Sequence, residues 1–177
     1  MNNSHTRALV LAGAGAAGNA WQLGLIAGLA DRGVDLTTAD VIIGTSAGST
    51  VAAQITAGIP PAALYAAILS EAVPPGRTGR ASLSGPDYMK WSDDLIAASS
   101  DAADMRRRVG AAALELAESD PRPNRWREVV AARLSRHDWP EQRVLIPAVD
   151  ARSGIRWSST ATAASTWWMP WPPAPRP

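Results

Sequence analysis

Two short apolar runs, each followed by a glycine-bearing turn, constrain this chain more than any other feature. Ala8-Leu9-Val10-Leu11 and Val41-Ile42-Ile43 both pass directly into such a turn and then into a helical pattern. Unbroken apolar runs of this length suit strands buried on both faces, which means parallel strands covered by helices. After the first run, Trp21, Leu25, Ile26 and Leu29 fall at helical spacing within 19–32, and Gly33 stands where a C-terminal cap belongs. After the second, 47–57 reads as a helix ending at Gly58, and Pro60-Pro61 opens another that runs to about Ser70. This alternation predicts an α/β fold with a mainly parallel sheet.

Further along, the pattern predicts helices over 88–98, 102–117 and 124–135 and a strand over 143–150. A turn at Arg152-Ser153-Gly154 leads into Ile155-Arg156-Trp157. The stretch 73–86, rich in Gly, Pro, Ser and Arg, reads as a surface loop. With Arg77 and Arg80 it is either a lid over a site or a plain connection. Arg106-Arg107-Arg108 is read first as a solvated helix face and second as a contact for anionic headgroups.

The second turn carries the clearest chemistry. In Gly44-Thr45-Ser46-Ala47-Gly48, a strand-to-helix turn sharp enough to present Ser46 strains its backbone. Small residues at Gly44 and Gly48 let strand and helix approach. The helix beginning near Ala47 then aims its free N–H groups and dipole at the site, favouring an oxyanion. Ser46 is therefore expected to be a nucleophile.

The first turn, Gly13-Ala14-Gly15-Ala16-Ala17-Gly18, leaves three readings open. It can be a simple tight turn. It can be a dinucleotide fingerprint, although that motif wants an acid at the end of the second strand and Asp40 precedes that strand. It can also be a nest of backbone N–H groups that holds an oxyanion.

Together, the glycine loop after the first strand and Gly44-Thr45-Ser46-Ala47-Gly48-Ser49 about thirty residues later resemble the patatin-like phospholipase family. The resemblance covers roughly 7–157 and is most specific through Gly58. It implies a three-layer α/β/α sandwich, a Ser–Asp dyad, and hydrolysis of phospholipid or other acyl esters without a cofactor. Carried over by position, Ser46 is the nucleophile, and Gly13, Ala14 and Gly15 line the oxyanion hole. Gly44, Thr45, Ala47 and Gly48 form the elbow, and Gly18 closes the glycine loop. The family often has Arg in that loop where this chain has Ala17.

A Ser hydroxyl needs a base to take its proton. The only histidines are His5, in a polar N-terminal segment, and His137, in a polar helix end. The family's Asp lies in an Asp-Gly pair; this sequence has no such pair and no acidic residue after Asp150. Asp150 itself sits where a turn-forming Asp belongs. The dyad acid is expected to be missing, which puts activity in doubt.

From Ser158 the composition changes to Ser, Thr and Ala and then Trp167-Trp168-Met169-Pro170-Trp171-Pro172. Because Trp and Met have single codons, reading one base upstream turns this stretch into (Leu, Val or Met)-Val-Asp-Ala-(Leu, Val or Met)-Ala, a good helix segment. The expectation is a patatin-like domain over 7–157, incomplete at its C-terminus, with a frameshifted tail over 158–177. The other reading of the tail is an extended arm that docks on a partner or membrane surface.

Bulk properties exclude other classes. A net charge of +1, with 16 Arg and the single Lys90, offers no dedicated nucleic-acid surface, and its Arg bias suggests a GC-rich genome. The absence of Cys excludes disulfides and thiolate metal sites, and no His or carboxylate cluster has metal spacing. With neither a signal-peptide pattern nor a spanning apolar run, the expected location is cytoplasmic, with peripheral membrane contact. Two other functions stay open: a dinucleotide-binding α/β domain and a non-catalytic lipid-binding remnant.

Overall fold

A computed structural model of the chain describes residues 6–70, 85–119 and 125–159. They form two compact units, one of 6–70, 125–147 and 158–159, the other of 85–119 and 148–157.

In the first unit, β1 (Ala8–Leu11) leads into α1 (Gly15–Ala30), and β2 (Val41–Gly44) leads into α2 (Ala47–Ile55) and α3 (Pro61–Ser70). After α4 (Gly85–Ala97) and α5 (Ala102–Ser119) in the second unit come α6 (Arg125–Ala131), β3 (Val144–Val149) and β4 (Arg156–Ser159). The sheet order is β1-β2-β3-β4, and β2 pairs in parallel with both β1 and β3. The expected α/β architecture, with a parallel sheet and helices on both sides, is borne out.

Register explains the core. Leu9 pairs with Ile42, Leu11 with Gly44, and Ile42 with Val144, so these residues share one face of the pleat. Leu23 and Ile26 of α1 and Val51, Ala52 and Ile55 of α2 join Leu11, Ile42 and Val144 in a single buried cluster. Each of the larger members contributes about 1.5–3 kcal/mol by leaving water. On the alternate face Val10 remains 68% exposed. One side of β1 is therefore packed far more tightly than the other.

The helix ends follow local chemistry. Gly33 takes φ +79, its N–H bonds to the Ala30 carbonyl, and the Val34 N–H reaches back to Leu29, closing α1 as its sequence predicts. In the second unit, the N–H of Asp150 donates to the Ile155 carbonyl and that of Gly154 to the Asp150 carbonyl, forming the turn between β3 and β4. Gly110 of α5 packs directly on the Ala151 carbonyl, where a side chain would not fit, and Arg106 Nε donates to the Gly154 carbonyl at 2.9 Å.

The expected loop over 73–86 lies outside the described residues except for Gly85 and Pro86, which begin α4. His5 and the tail from 160 onward also lie outside them.

Candidate active site

Ser46 forms the corner between β2 and α2. Its backbone is at φ 54 and ψ −120, and it is the only non-glycine residue with positive φ among those described. A side chain in that region costs on the order of 1–3 kcal/mol and persists only where the surroundings enforce it. The enforcement is visible on both sides of the corner. A β-carbon on Gly44 would lie 2.5 Å from the Gly48 carbonyl oxygen and 2.8 Å from the Ser49 Cα. One on Gly48 would collide with the Leu11 carbonyl, and the Thr45 N–H donates to that same oxygen at 3.0 Å. Strand end and helix start thus touch backbone to backbone, which only glycine allows.

The glycine loop lies directly against this corner. A β-carbon on Gly13 would stand 2.9 Å from the Cβ and 3.5 Å from the Oγ of Ser46. The loop runs straight into α1, whose N-cap is Ala14 and whose first residue, Gly15, takes φ +60. Gly18 is small because the Ala14 methyl occupies the space its own β-carbon would need.

Neither α1 nor α2 has a side-chain cap at its N-terminus. Two sets of first-turn N–H donors are therefore left free of side-chain partners beside Ser46, and both helix dipoles present their positive ends there. Ser46, Thr45 and residues 12–17 are all exposed, so a substrate can reach the corner from solvent. Neutral, small and rich in N–H donors, the site suits a developing oxyanion.

The structure brings Ser46, the elbow residues and the glycine loop together. Among the described residues, Ser46 Oγ makes no hydrogen bond; Ser46 is held through its carbonyl, which accepts from Ser49 N at 2.9 Å and Ser49 Oγ at 2.5 Å. His137 is exposed, its Nε2 lying 3.4 Å from the Ala131 carbonyl oxygen. The Asp150 carboxylate accepts from the Ser153 hydroxyl and from the N–H groups of Ser153 and Arg152, and these bonds hold its pKa below the usual 3.8. It is a turn former.

Asp40 accepts from the Arg7 N–H at 2.6 Å, at the end of β1 opposite the glycine loop, where it cannot hold a ribose. Arg107 and Arg108 pair with Asp104 on their own helix, so at least part of the arginine run is engaged locally. Among the described residues no group of His, Cys, Asp and Glu could hold a metal ion, and no helix is long and apolar enough to cross a membrane.

One residue of the site escaped the sequence reading. Gln22, only 6% exposed, donates through Nε2 to the carbonyls of Ala12 at 2.9 Å and Gly18 at 3.0 Å, the two ends of the glycine loop. Its signal was a lone amide set within the otherwise apolar buried stripe of α1, four residues after Gly18.

No curated protein and no solved structure matches the chain. The family model described as patatin-like phospholipase does match, over residues 9–166, a span that takes in the glycine loop and the Ser46 corner. The chain belongs to the patatin-like phospholipase family.

Proposed function

We propose that this chain is a lipid acyl hydrolase fold in which Ser46 is the nucleophile and backbone N–H groups of Gly13, Ala14 and Gly15 hold the oxyanion. Ser46 Oγ attacks the carbonyl carbon of an acyl ester, its proton passing to a solvent water at the exposed corner, which returns a proton to the leaving alkoxide. The C=O pair becomes an oxyanion opposite the glycine loop. Collapse expels the alcohol, and water then releases the fatty acid from the acyl-enzyme. The observation that carries this reading is the strained Ser46 backbone set against Gly13, because an incidental serine gains nothing from a conformation that costs stability. Membership of a family of lipid hydrolases supports phospholipid or another acyl-ester lipid as substrate.

Neither His137 nor Asp150 serves as the base in this reading, since the first is exposed beside Ala131 and the second is committed to its turn. Ser46 is a sited nucleophile that depends on another group for full activation, so slow turnover is expected. The site calls for no cofactor.

The test is covalent labelling by an alkyl fluorophosphonate, in which Ser46 Oγ bonds to phosphorus and fluoride leaves. Labelling that disappears in Ser46→Ala supports the assignment. Absence of labelling together with binding to phosphatidylcholine vesicles would make the chain a non-catalytic lipid binder. Nicotinamide dinucleotide binding without labelling would replace both readings.

A further inference from the structure

The geometry points to Gln22 as a positioning residue for the oxyanion loop: its buried amide fixes the peptide plane that carries the Gly13 N–H. This rests on the role proposed above for the glycine loop.

A trans peptide unit is planar, with C=O and N–H pointing in opposite directions. The carbonyl of Ala12 and the N–H of Gly13 belong to one such unit. When Gln22 Nε2 takes the Ala12 carbonyl at 2.9 Å, it draws that oxygen inward and turns the Gly13 N–H the other way, out of the buried stripe of α1. Gly13 is the loop residue whose missing side chain leaves room for Ser46. The same nitrogen reaches the Gly18 carbonyl at 3.0 Å, so one amide ties the entry of the loop to the first turn of α1. Both donated hydrogens go to the loop.

Packing alone gives no reason for an amide here. Leu23, Ile26 and Ala27 are buried beside Gln22 on α1, and its Oε1 is buried without a hydrogen-bond partner. A leucine would fill similar space and remove the orphaned Oε1, but it would take the donor from the Ala12 carbonyl, so the amide is accounted for by the loop it serves and not by the core around it. The loop itself has little else to hold it. Residues 12–17 are exposed, Ala14 caps nothing with its side chain, and a β-carbon at Gly15 would meet nothing within 4 Å. Loss of Gln22 frees the Ala12–Gly13 plane to rotate while leaving the Leu11, Ile42 and Val51 core intact.

Two variants and two measurements on the full chain decide this. Gln22→Leu removes the donors and keeps the bulk; Gln22→Glu keeps the shape and sets a carboxylate against two carbonyl oxygens. In 15N relaxation, the wild-type amides of Gly13 and Gly15 are expected near the rigid order parameter of about 0.85, falling to about 0.6 or below in both variants. Ile42 and Val51 should stay rigid in all three proteins. In fluorophosphonate labelling, the maximal rate should fall about a hundredfold, the scale of one lost oxyanion donor. The reagent concentration at half-saturation should stay within about twofold, because ground-state binding does not use the loop.

Local loosening with that rate loss supports the assignment. A loop that stays rigid in the variants, or is already mobile in the wild type, overturns it. So does loosening that spreads to Ile42 and Val51, which would make Gln22 a core residue only, or local loosening with unchanged labelling. If the wild type does not label at all, the proposed function fails, and relaxation alone still decides whether Gln22 sets the loop.

Discussion

Gly13 and Ser46 stand so close that a β-carbon on the first would lie 2.9 Å from the β-carbon of the second. One residue ends the turn after β1 and the other ends the turn after β2, thirty-three positions later, and the parallel pairing of Leu11 with Gly44 brings them together. Gly13→Ala therefore has to displace the loop or the corner. The expected result is a loss of fluorophosphonate labelling of about 100- to 1,000-fold, as for removal of an oxyanion donor, in a chain that still unfolds cooperatively. Rates within twofold of wild type would show that the loop takes no part in the reaction.

Ser46 should trade stability for its position. At φ 54 and ψ −120 a β-carbon is strained, and glycine is not. Ser46→Gly is expected to be more stable than Ser46→Ala by about 1 kcal/mol, the strain relief being offset in part by the freer unfolded chain. Chemical denaturation of the two variants measures this directly, and neither should label. Equal midpoints would mean the corner is not strained.

Much of this arrangement is written in local pattern. β1 and β2 fall where the apolar runs stand, Gly33 caps α1, and the elbow motif lies at the junction its spacing requires. Helix starts were less legible. α1 begins at Gly15, several residues before its apolar spacing becomes visible, because the helix opens with Gly-Ala-Ala-Gly. Those residues have no amphipathic pattern, and the turn is held instead by Gly18 N–H donating to the Ala14 carbonyl and by Gln22. α4 likewise starts at Gly85, ahead of its periodic part. At the other end of a helix, α6 stops at Ala131 rather than running to Ser135, as the N–H groups of Arg133 and Leu134 turn to carbonyls three residues back. The lone amide of Gln22 stands out in the stripe of α1, but its role could not be read there, because it depends on two carbonyls that come together only after folding.

Two glycines of the first unit should respond in opposite directions to the same substitution. Gly48 abuts the backbone carbonyls of Leu11 and Ala12, which cannot yield without moving β1. Gly28 lies inside α1 with nothing within 4 Å of the position a β-carbon would take. Gly48→Ala is expected to cost about 1–3 kcal/mol, or about 2–4 °C of melting temperature per kcal/mol at this chain length. Gly28→Ala should raise stability by about 0.5–1 kcal/mol through helix propensity and a stiffer unfolded chain. Thermal melts of both variants test the pair, and a neutral Gly48→Ala would contradict the close contact between β1 and α2.

Asp150 gives the second unit a defined acid sensitivity. Its carboxylate is held below its ordinary pKa of 3.8 first by the Ser153 hydroxyl, then by the Ser153 N–H, the Arg152 N–H and the charge of Arg152. A carboxylate with a depressed folded pKa binds its proton more weakly when folded than when unfolded. Its contribution is thus complete above the unfolded value and is lost as pH falls through the lower folded value. Asp35, Asp101 and Asp104 are shifted the same way, so the wild-type melt alone does not isolate it. The comparison with Asp150→Asn does, because asparagine keeps an acceptor for the turn but carries no charge to titrate. The wild type should melt above the variant at about pH 6, and the gap should close as pH drops from about 4 towards 2. A gap that is constant with pH would remove the charge of Asp150 from the stability of the β3–β4 turn.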